Sequence, residues 1–491
     1  MVEYFQIFLE RDFWVMIPEL FLVFAVVFLT VLGVFFSKAV MSVEKRVIEV
    51  VLDLGILSLF WLMLLYYNQF GLDCYALNFQ VKKDSISLFF SMLLMVGTLC
   101  SLVIAKSYIK NDTVNDFEYV VLVLLALLGL LTIVSCNDLL LIYLGIELQS
   151  LCLYVLATIK RHSRFSTEAG LKYFVLGAFS SGILLFGMSL FYGFTGITNL
   201  TDIEYFFLQG EMTPGIALGS LFIFIGLLFK VGAAPFHVWV PDVYAGIPTF
   251  ITSFFAIVPK MAIFGLLIKM LFIAEVGNFD LFLYSGILSL FIGSFGAIYQ
   301  VTIKRLIAYS AIGHTGFILL GLYSGGIEGV VAVCLYVLIY MVMVINFFSI
   351  LLAIRKESDS RGIRMLGTFN EVYRSNKLLG ISLCLLLFSM AGIPPLSGFY
   401  SKLYIFFAMI KEEHFIASIL VVCLSVIGSV YYLRLIRTMF FNTSRQWGFY
   451  KPVSKGTSLV IVYSGLFTLL FFVYSLPILI ALHEIVLSFY F

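Results

Sequence analysis

Four ionisable residues lie in stretches otherwise apolar enough to fill a bilayer: Glu147 in LIYLGIELQSLCLY, Lys230 in GLLFKVGAAPFHVWVPD, Lys260 in IVPKMAIFG and Lys402 in AGIPPLSGFYSKLYIF. A charge at that depth costs several kcal/mol unless it is paired or faces water, so such residues mark ion or proton paths. Desolvation weakens a lysine's hold on its proton and a nearby carboxylate restores it. A buried lysine beside a switchable acid can therefore load and release a proton. The competing reading, a static Glu–Lys pair joining two helices, accounts for one lysine and not for three. His237, two residues past Pro235, and His314, in KRLIAYSAIGHTGF, either bridge the lysines as shuttles near neutral pH or are simply hydrogen-bonded. Lys172, in TEAGLKYFVLG, lies about one turn inside its apolar stretch and either joins the relay or snorkels to the surface. Glu19 and Asp53, near the ends of their stretches, read as interfacial or partner-facing, and Arg434 and Arg437 as snorkelling inward.

The elements that must hold these residues follow from composition. With 62% hydrophobic and 12% charged residues over 491 positions, the chain is an all-α polytopic membrane protein rather than a soluble domain. About 20 apolar residues cross the hydrocarbon core. Runs of that length predict about fourteen transmembrane spans, near 14–36, 47–68, 86–107, 118–135, 138–159, 168–194, 214–243, 248–273, 279–299, 304–323, 327–353, 377–411, 415–440 and 457–483. The stretches from 214 to 247 and from 377 to 411 are too long for one straight helix and carry Pro235 and the pair Pro394 and Pro395 near their middles. Proline removes a donor and clashes with the preceding turn, so both helices are expected to break at mid-membrane. Backbone broken at that depth requires protein or water around it.

The broken spans are the seventh and twelfth, five apart, and a unit of five crossings must re-enter the membrane upside down. The expected organisation is a three-helix segment (1–117), a five-helix repeat (118–273), its inverted copy (274–440), and a loop with the last helix (441–491). TNLTDIEYFFLQGEM, between the sixth and seventh spans, reads as an interfacial helix. The charged linker from Arg355 to Lys377 either docks against neighbouring protein or, the favoured reading, lies on the anionic inner membrane surface.

Most of the 30 lysines and arginines fall in loops after odd-numbered spans, among them Lys160, Arg161, Arg164, Arg355, Lys356, Arg361, Arg364, Arg374 and Lys377. The other loops hold only Lys82, Lys83, Lys269 and Lys411, and the N-terminal segment Arg11. The positive-inside rule then places the odd loops in the matrix or cytoplasm and both termini outside. Seven scattered cysteines and five dispersed histidines offer no spacing for a metal, haem or disulfide framework, and no Gly-rich phosphate loop follows a strand. The chain is expected to carry no cofactor of its own and to bind no nucleic acid. The opening MVEYFQIFLERDFW resembles neither a transit peptide nor a signal n-region. Fifty-two Phe beside ten Pro point to an AT-rich coding genome. Together these favour a multi-pass protein of the mitochondrial inner membrane, organelle-encoded, with a bacterial plasma membrane as the alternative.

GLKYFVLGAFSSGILLFG, FKVGAAPFHVWVPDVY, KRLIAYSAIGH and AGIPPLSGFYSKLYIF resemble the subunit 2 family of the proton-pumping NADH:quinone oxidoreductase, respiratory complex I. The resemblance covers the fourth to thirteenth spans and extends to nearly the whole chain through the fourteen-helix layout. It implies an antiporter-like membrane subunit with a Glu–Lys pair at Glu147 and Lys230, a central Lys260, a terminal Lys402 and the post-break His237. It also implies that FMN, iron–sulfur clusters and quinone are bound by other subunits. Partners would be the other membrane-arm subunits, including neighbouring antiporter-like ones, and lipid. A subunit of a multisubunit cation/proton antiporter is the other reading.

Overall fold

The computed structural model describes residues 2–37, 41–71, 73–109, 117–208, 213–275, 278–355, 365–441 and 450–490. Lipid offers no partner to an open N–H or C=O, so the apolar runs close their hydrogen bonds internally as helices. In chain order these are α1 (Val2–Ser37), α2 (Met41–Tyr67), α3 (Ser85–Ile109), α4 (Glu118–Ser135), α5 (Leu139–Ala157), α6 (Arg164–Thr195), α7 (Leu200–Leu208), α8 (Pro214–Val231), α9 (Trp239–Gly246) and α10 (Thr249–Lys269). They continue as α11 (Leu271–Glu275), α12 (Asp280–Ile298), α13 (Ile303–Ser324), α14 (Gly326–Ala353), α15 (Asn370–Ser375), α16 (Lys377–Ala391), α17 (Ser397–Lys411), α18 (Phe415–Phe440), α19 (Lys455–Leu470) and α20 (Ser475–Tyr490).

Twelve of the described helices are long and apolar enough to cross a membrane, and α19 with α20 passes as a thirteenth span bent by 90°. The stretch 457–483, expected as one straight helix, is thus two. Pro477 fits the first turn of α20 but not a helix interior, so the chain restarts there. The all-α expectation needs a second correction. β1 (Cys74–Ala76) and β2 (Val81–Lys83) pair antiparallel between α2 and α3, in a polar connection too short for another membrane-crossing helix. This hairpin is stitched to the start of α5, because the Asn137 N–H donates to the Gln80 carbonyl at 2.8 Å and Asn137 Nδ2 to the Phe79 carbonyl at 3.1 Å.

The stretch read as an interfacial helix contains the short helix α7, and residues 209–212 lie outside the described residues. Of the linker 355–377, residues 356–364, including Lys356, Arg361 and Arg364, also lie outside them, as does the side chain of Arg11.

Both expected breaks are observed, with the same local geometry. α8 ends at Gly232 (φ 77°) and α16 at Gly392 (φ 85°), left-handed positions that favour glycine. The next N–H turns back in each case, Ala233 to the Leu228 carbonyl at 3.0 Å and Ile393 to the Phe388 carbonyl at 3.1 Å. The proline three residues beyond each glycine is cis, in Ala234–Pro235 and Pro394–Pro395.

The centre of the molecule is α10, buried along its whole length, with α13 and α14 nearly so, while α1 and α18 lie at the periphery. Small residues let the helices close. A Cβ on Gly293 would lie 2.6 Å from the Gly313 backbone nitrogen, so α12 and α13 touch backbone to backbone.

Candidate functional site

The three lysines sit on or beside these central and broken helices, and all three are buried. Lys230 closes the last turn of α8, next to the first break, and its Nζ has no hydrogen-bond partner. It lies 6.0 Å from the Tyr154 ring centroid. Glu147, half-buried on α5, makes no direct ion pair with Lys230; its Oε1 is buried without a partner and its Oε2 accepts from Ser150 Oγ at 3.3 Å. Glu147, Ser150 and Tyr154 share one face of α5 at helical spacing, so a ladder of polar side chains leads from the acid toward the lysine. The Glu147–Lys230 pair implied by resemblance is thus not in contact; Ser150 bonds to the acid, and the Tyr154 ring lies beside the lysine with its hydroxyl unpartnered.

Lys260 stands in the middle of α10, with its Nζ 3.5 Å from the Ala311 carbonyl on α13. One turn further along α13 is His314, fully enclosed. Its Nδ1 lies 2.8 Å from Tyr336 Oη on α14 and its Nε2 3.1 Å from Tyr432 Oη on α18. With both ring nitrogens engaged, a proton taken at one can leave from the other by tautomer exchange.

Lys402, one turn into α17, donates to the Ala391 carbonyl at 2.8 Å and the Met390 carbonyl at 3.2 Å. The open carbonyls at the end of α16 thus hold the ammonium at the negative end of a half-helix. Lys402, His314 and Tyr432 line one cleft with Ser294, Ser310 and Phe317. Lys260, His314 and Lys402 thus succeed one another in a file across α10, α13 and α17, and Tyr336 and Tyr432, which the sequence did not single out, occupy the two ring nitrogens of His314. Tyrosine is too common in membrane helices for its position alone to signal this.

The remaining expected residues stand apart. His237 is half-buried in the first break, against the Pro235 backbone, with its Nδ1 unpartnered and no contact to Lys230 or Lys260. Lys172 has 45% of its side chain exposed and pairs with Glu168 at 2.9 Å and Asp242 at 3.2 Å, while Arg305 reaches the same Asp242 at 3.3 Å. That is a charge cluster at the end assigned to the matrix or cytoplasm, away from the file. Arg434 donates to the Ile298 carbonyl at 2.8 Å, capping α12. Glu19, read as interfacial or partner-facing, does not face a partner, because it is buried and bonded to Lys83 and Tyr66. Asp53 is half-exposed and paired with Lys106. Among the described residues no group of three or more His, Cys, Asp or Glu could hold a metal ion.

A multi-pass helical bundle with lysines buried around two helix breaks defines a class, the antiporter-like membrane subunits. Residues 136–428 match the family described as NADH:quinone oxidoreductase/Mrp antiporter, TM, and the chain belongs to that family. It is 40% identical to NADH-ubiquinone oxidoreductase chain 2 of Marchantia polymorpha, over 97% of this chain and 99% of that one. It is 38% identical to NADH-quinone oxidoreductase subunit N of Paramagnetospirillum magneticum, over 94% and 95%. Its structure resembles a chain of respiratory complex I from Thermus thermophilus, with TM-score 0.80, 29% identity and coverage of 95% and 99%. A chain of the Mrp complex from Dietzia shares the fold, with TM-score 0.77 at 19% identity and 96% coverage of each chain.

Proposed function

We propose that this chain is the proton-translocating membrane-arm subunit of an NADH:quinone oxidoreductase, moving protons through buried side chains while electrons pass through other subunits. Near-full-length identity to chain 2 and subunit N relatives supports the assignment. The observation that carries the mechanism is the file in which His314 joins Tyr336 and Tyr432 between Lys260 and Lys402. A change in the neighbouring subunit alters the distance between Glu147 and Lys230 and so the charge near Lys260. Lys260 then passes its proton toward His314, and Lys402 delivers it onward. His237 and Lys172 serve at the margins, His237 beside the first break and Lys172 at the inner end.

The finer architecture belongs to the same reading. Adding the broken pair α16 and α17 to the spans above makes fourteen. The shared Gly-x-x-Pro geometry of the two breaks supports inverted repeats over 118–273 and 274–440, between an N-terminal segment (1–117) and a C-terminal one (441–491). The site is the mitochondrial inner membrane, with organelle encoding, or a bacterial plasma membrane.

Lys230→Ala and Lys260→Ala test the path: in assembled complex each is expected to lower proton pumping and coupled NADH oxidation. Full pumping by assembled mutants would remove these residues from the path. Native-gel co-migration with NADH dehydrogenase activity separates this assignment from a cation/proton antiporter, which would migrate without that activity.

A further inference from the structure

A second group of buried charges lies at the opposite end of α10 from its start, at the outer side by the charge rule, and the proton file does not use it. Lys83 and Asp84 are adjacent in the chain, yet they reach into two different sites. Lys83 Nζ donates to the Val15 carbonyl, to Gln69 Oε1 at 2.9 Å and to Glu19 Oε2 at 3.1 Å. Tyr66 Oη donates to the same glutamate at 2.7 Å. All three ammonium hydrogens are thus engaged, and the site clamps α1 and α2 to the hairpin. Asp84 turns the other way. Its Oδ1 accepts from the Ser87 N–H at 2.9 Å, capping α3, and stands 3.4 Å from Nζ of Lys269, the last residue of α10. Both side chains of this pair are only 5% exposed. Lys269 has no hydrogen-bond partner and neither has Asp84 Oδ2, so the pair is held by charge rather than by a saturated network.

Lys269 follows Lys260 by nine residues on one helix, which is about 13–14 Å along the axis and half a turn around it. The two lysines therefore face opposite neighbours, Lys269 toward α3 and Lys260 toward α13. A pull on Lys269 from α3 draws α10 away from the Ala311 carbonyl and His314. We propose that Lys83 and Asp84 together form a strut that positions Lys260 from the outer side, one arm holding α1 and α2 and the other holding the end of the Lys260 helix. A displacement of the peripheral α1 is thereby passed to the central lysine. The proposal rests on the reading that Lys260 handles protons.

The test measures protons moved per NADH oxidised in assembled complex, with the assembled amount read from native gels. Lys269→Met and Lys83→Met are each expected to lower the ratio about twofold or more, and the double variant by no more than the larger single effect. Lys269→Arg, which keeps the charge, restores the ratio. Asp84→Asn keeps a capping side chain while removing the charge, and is expected to match Lys269→Met without loss of assembly. A full ratio in these variants, additive losses, or a fall in assembled amount with an unchanged ratio would each overturn the strut. Lys260→Ala in the same assay separates the two readings. If it abolishes pumping while the strut variants pump fully, only the strut fails; if it pumps fully, the file itself fails.

Discussion

His314 has no free ring nitrogen: Tyr336 and Tyr432 occupy both, from two other helices. A proton shuttled at His314 would be exchanged with these hydroxyls, the two groups its ring nitrogens meet. Tyr432→Phe removes one hydrogen bond and leaves the ring's packing. With a buried neutral bond worth about 1 kcal/mol, the expected result is a roughly fivefold slower proton translocation in fully assembled complex. Stopped-flow pumping assays on reconstituted vesicles measure it, and an unchanged rate removes Tyr432 from the path. The lysines were legible from sequence because a charge stands out in an apolar run. The tyrosines were not, because a hydroxyl that is unremarkable on its own helix becomes a bridge only when α14 and α18 bring it to α13. The burial of Glu19 was not legible for a related reason: its partner Lys83 lies across a hairpin that hydropathy does not predict.

The two breaks are the elements on which the site is built. Each needs a left-handed residue to end the first half-helix, and at Gly392 the space a Cβ would take is filled by Lys402 Nζ, 2.9 Å away. Gly392→Ala therefore adds a backbone cost of about 1–2 kcal/mol and pushes the ammonium from its carbonyl cap. Gly232→Ala carries the same backbone cost at φ 77°, but there the new methyl meets Val240 Cγ2 at 2.5 Å rather than a charge. Both variants are expected to lower the thermal midpoint of the complex. Only Gly392→Ala is expected to slow pumping beyond what lost stability explains, and equal effects of the two on pumping would contradict the cap. Prolines and long apolar runs announced both breaks in advance, since proline's missing donor acts locally. The bend between α19 and α20 escaped the same reasoning because Pro477 lies near one end of its apolar run, where it reads as a terminus.

Across the whole molecule, the Asp84–Lys269 contact is the ion pair that joins the start of α3 to the end of the central α10, and it carries a defined pH dependence. Burial alone would raise the Asp84 carboxyl, but the Lys269 charge, the Ser87 N–H and Lys82 together hold it below its ordinary value. A carboxyl with a depressed folded-state pKa stabilises the fold fully above its unfolded value, about pH 4, and that contribution is lost as pH falls through the lower folded value. Glu19 and Lys83 lie close by, so the Asp84 share is read as a difference. Thermal midpoints of wild-type and Asp84→Asn protein are expected to differ above pH 4 and to converge below it. A gap that persists unchanged into stronger acid would show that the charge of Asp84 contributes nothing.

Composition and spacing were sufficient for a polytopic helical membrane protein with charges at mid-depth and two broken helices, because run length, proline chemistry and the cost of a buried charge are properties of local sequence. They also sufficed to point at Lys230, Lys260 and Lys402. Which groups those lysines meet was settled by packing: Lys230 makes no ion pair with Glu147, Lys172 turns to Asp242, and Lys269 finds Asp84. Side chains far apart in the chain become neighbours only when helices close against one another, and no pattern along one helix records which face another will cover.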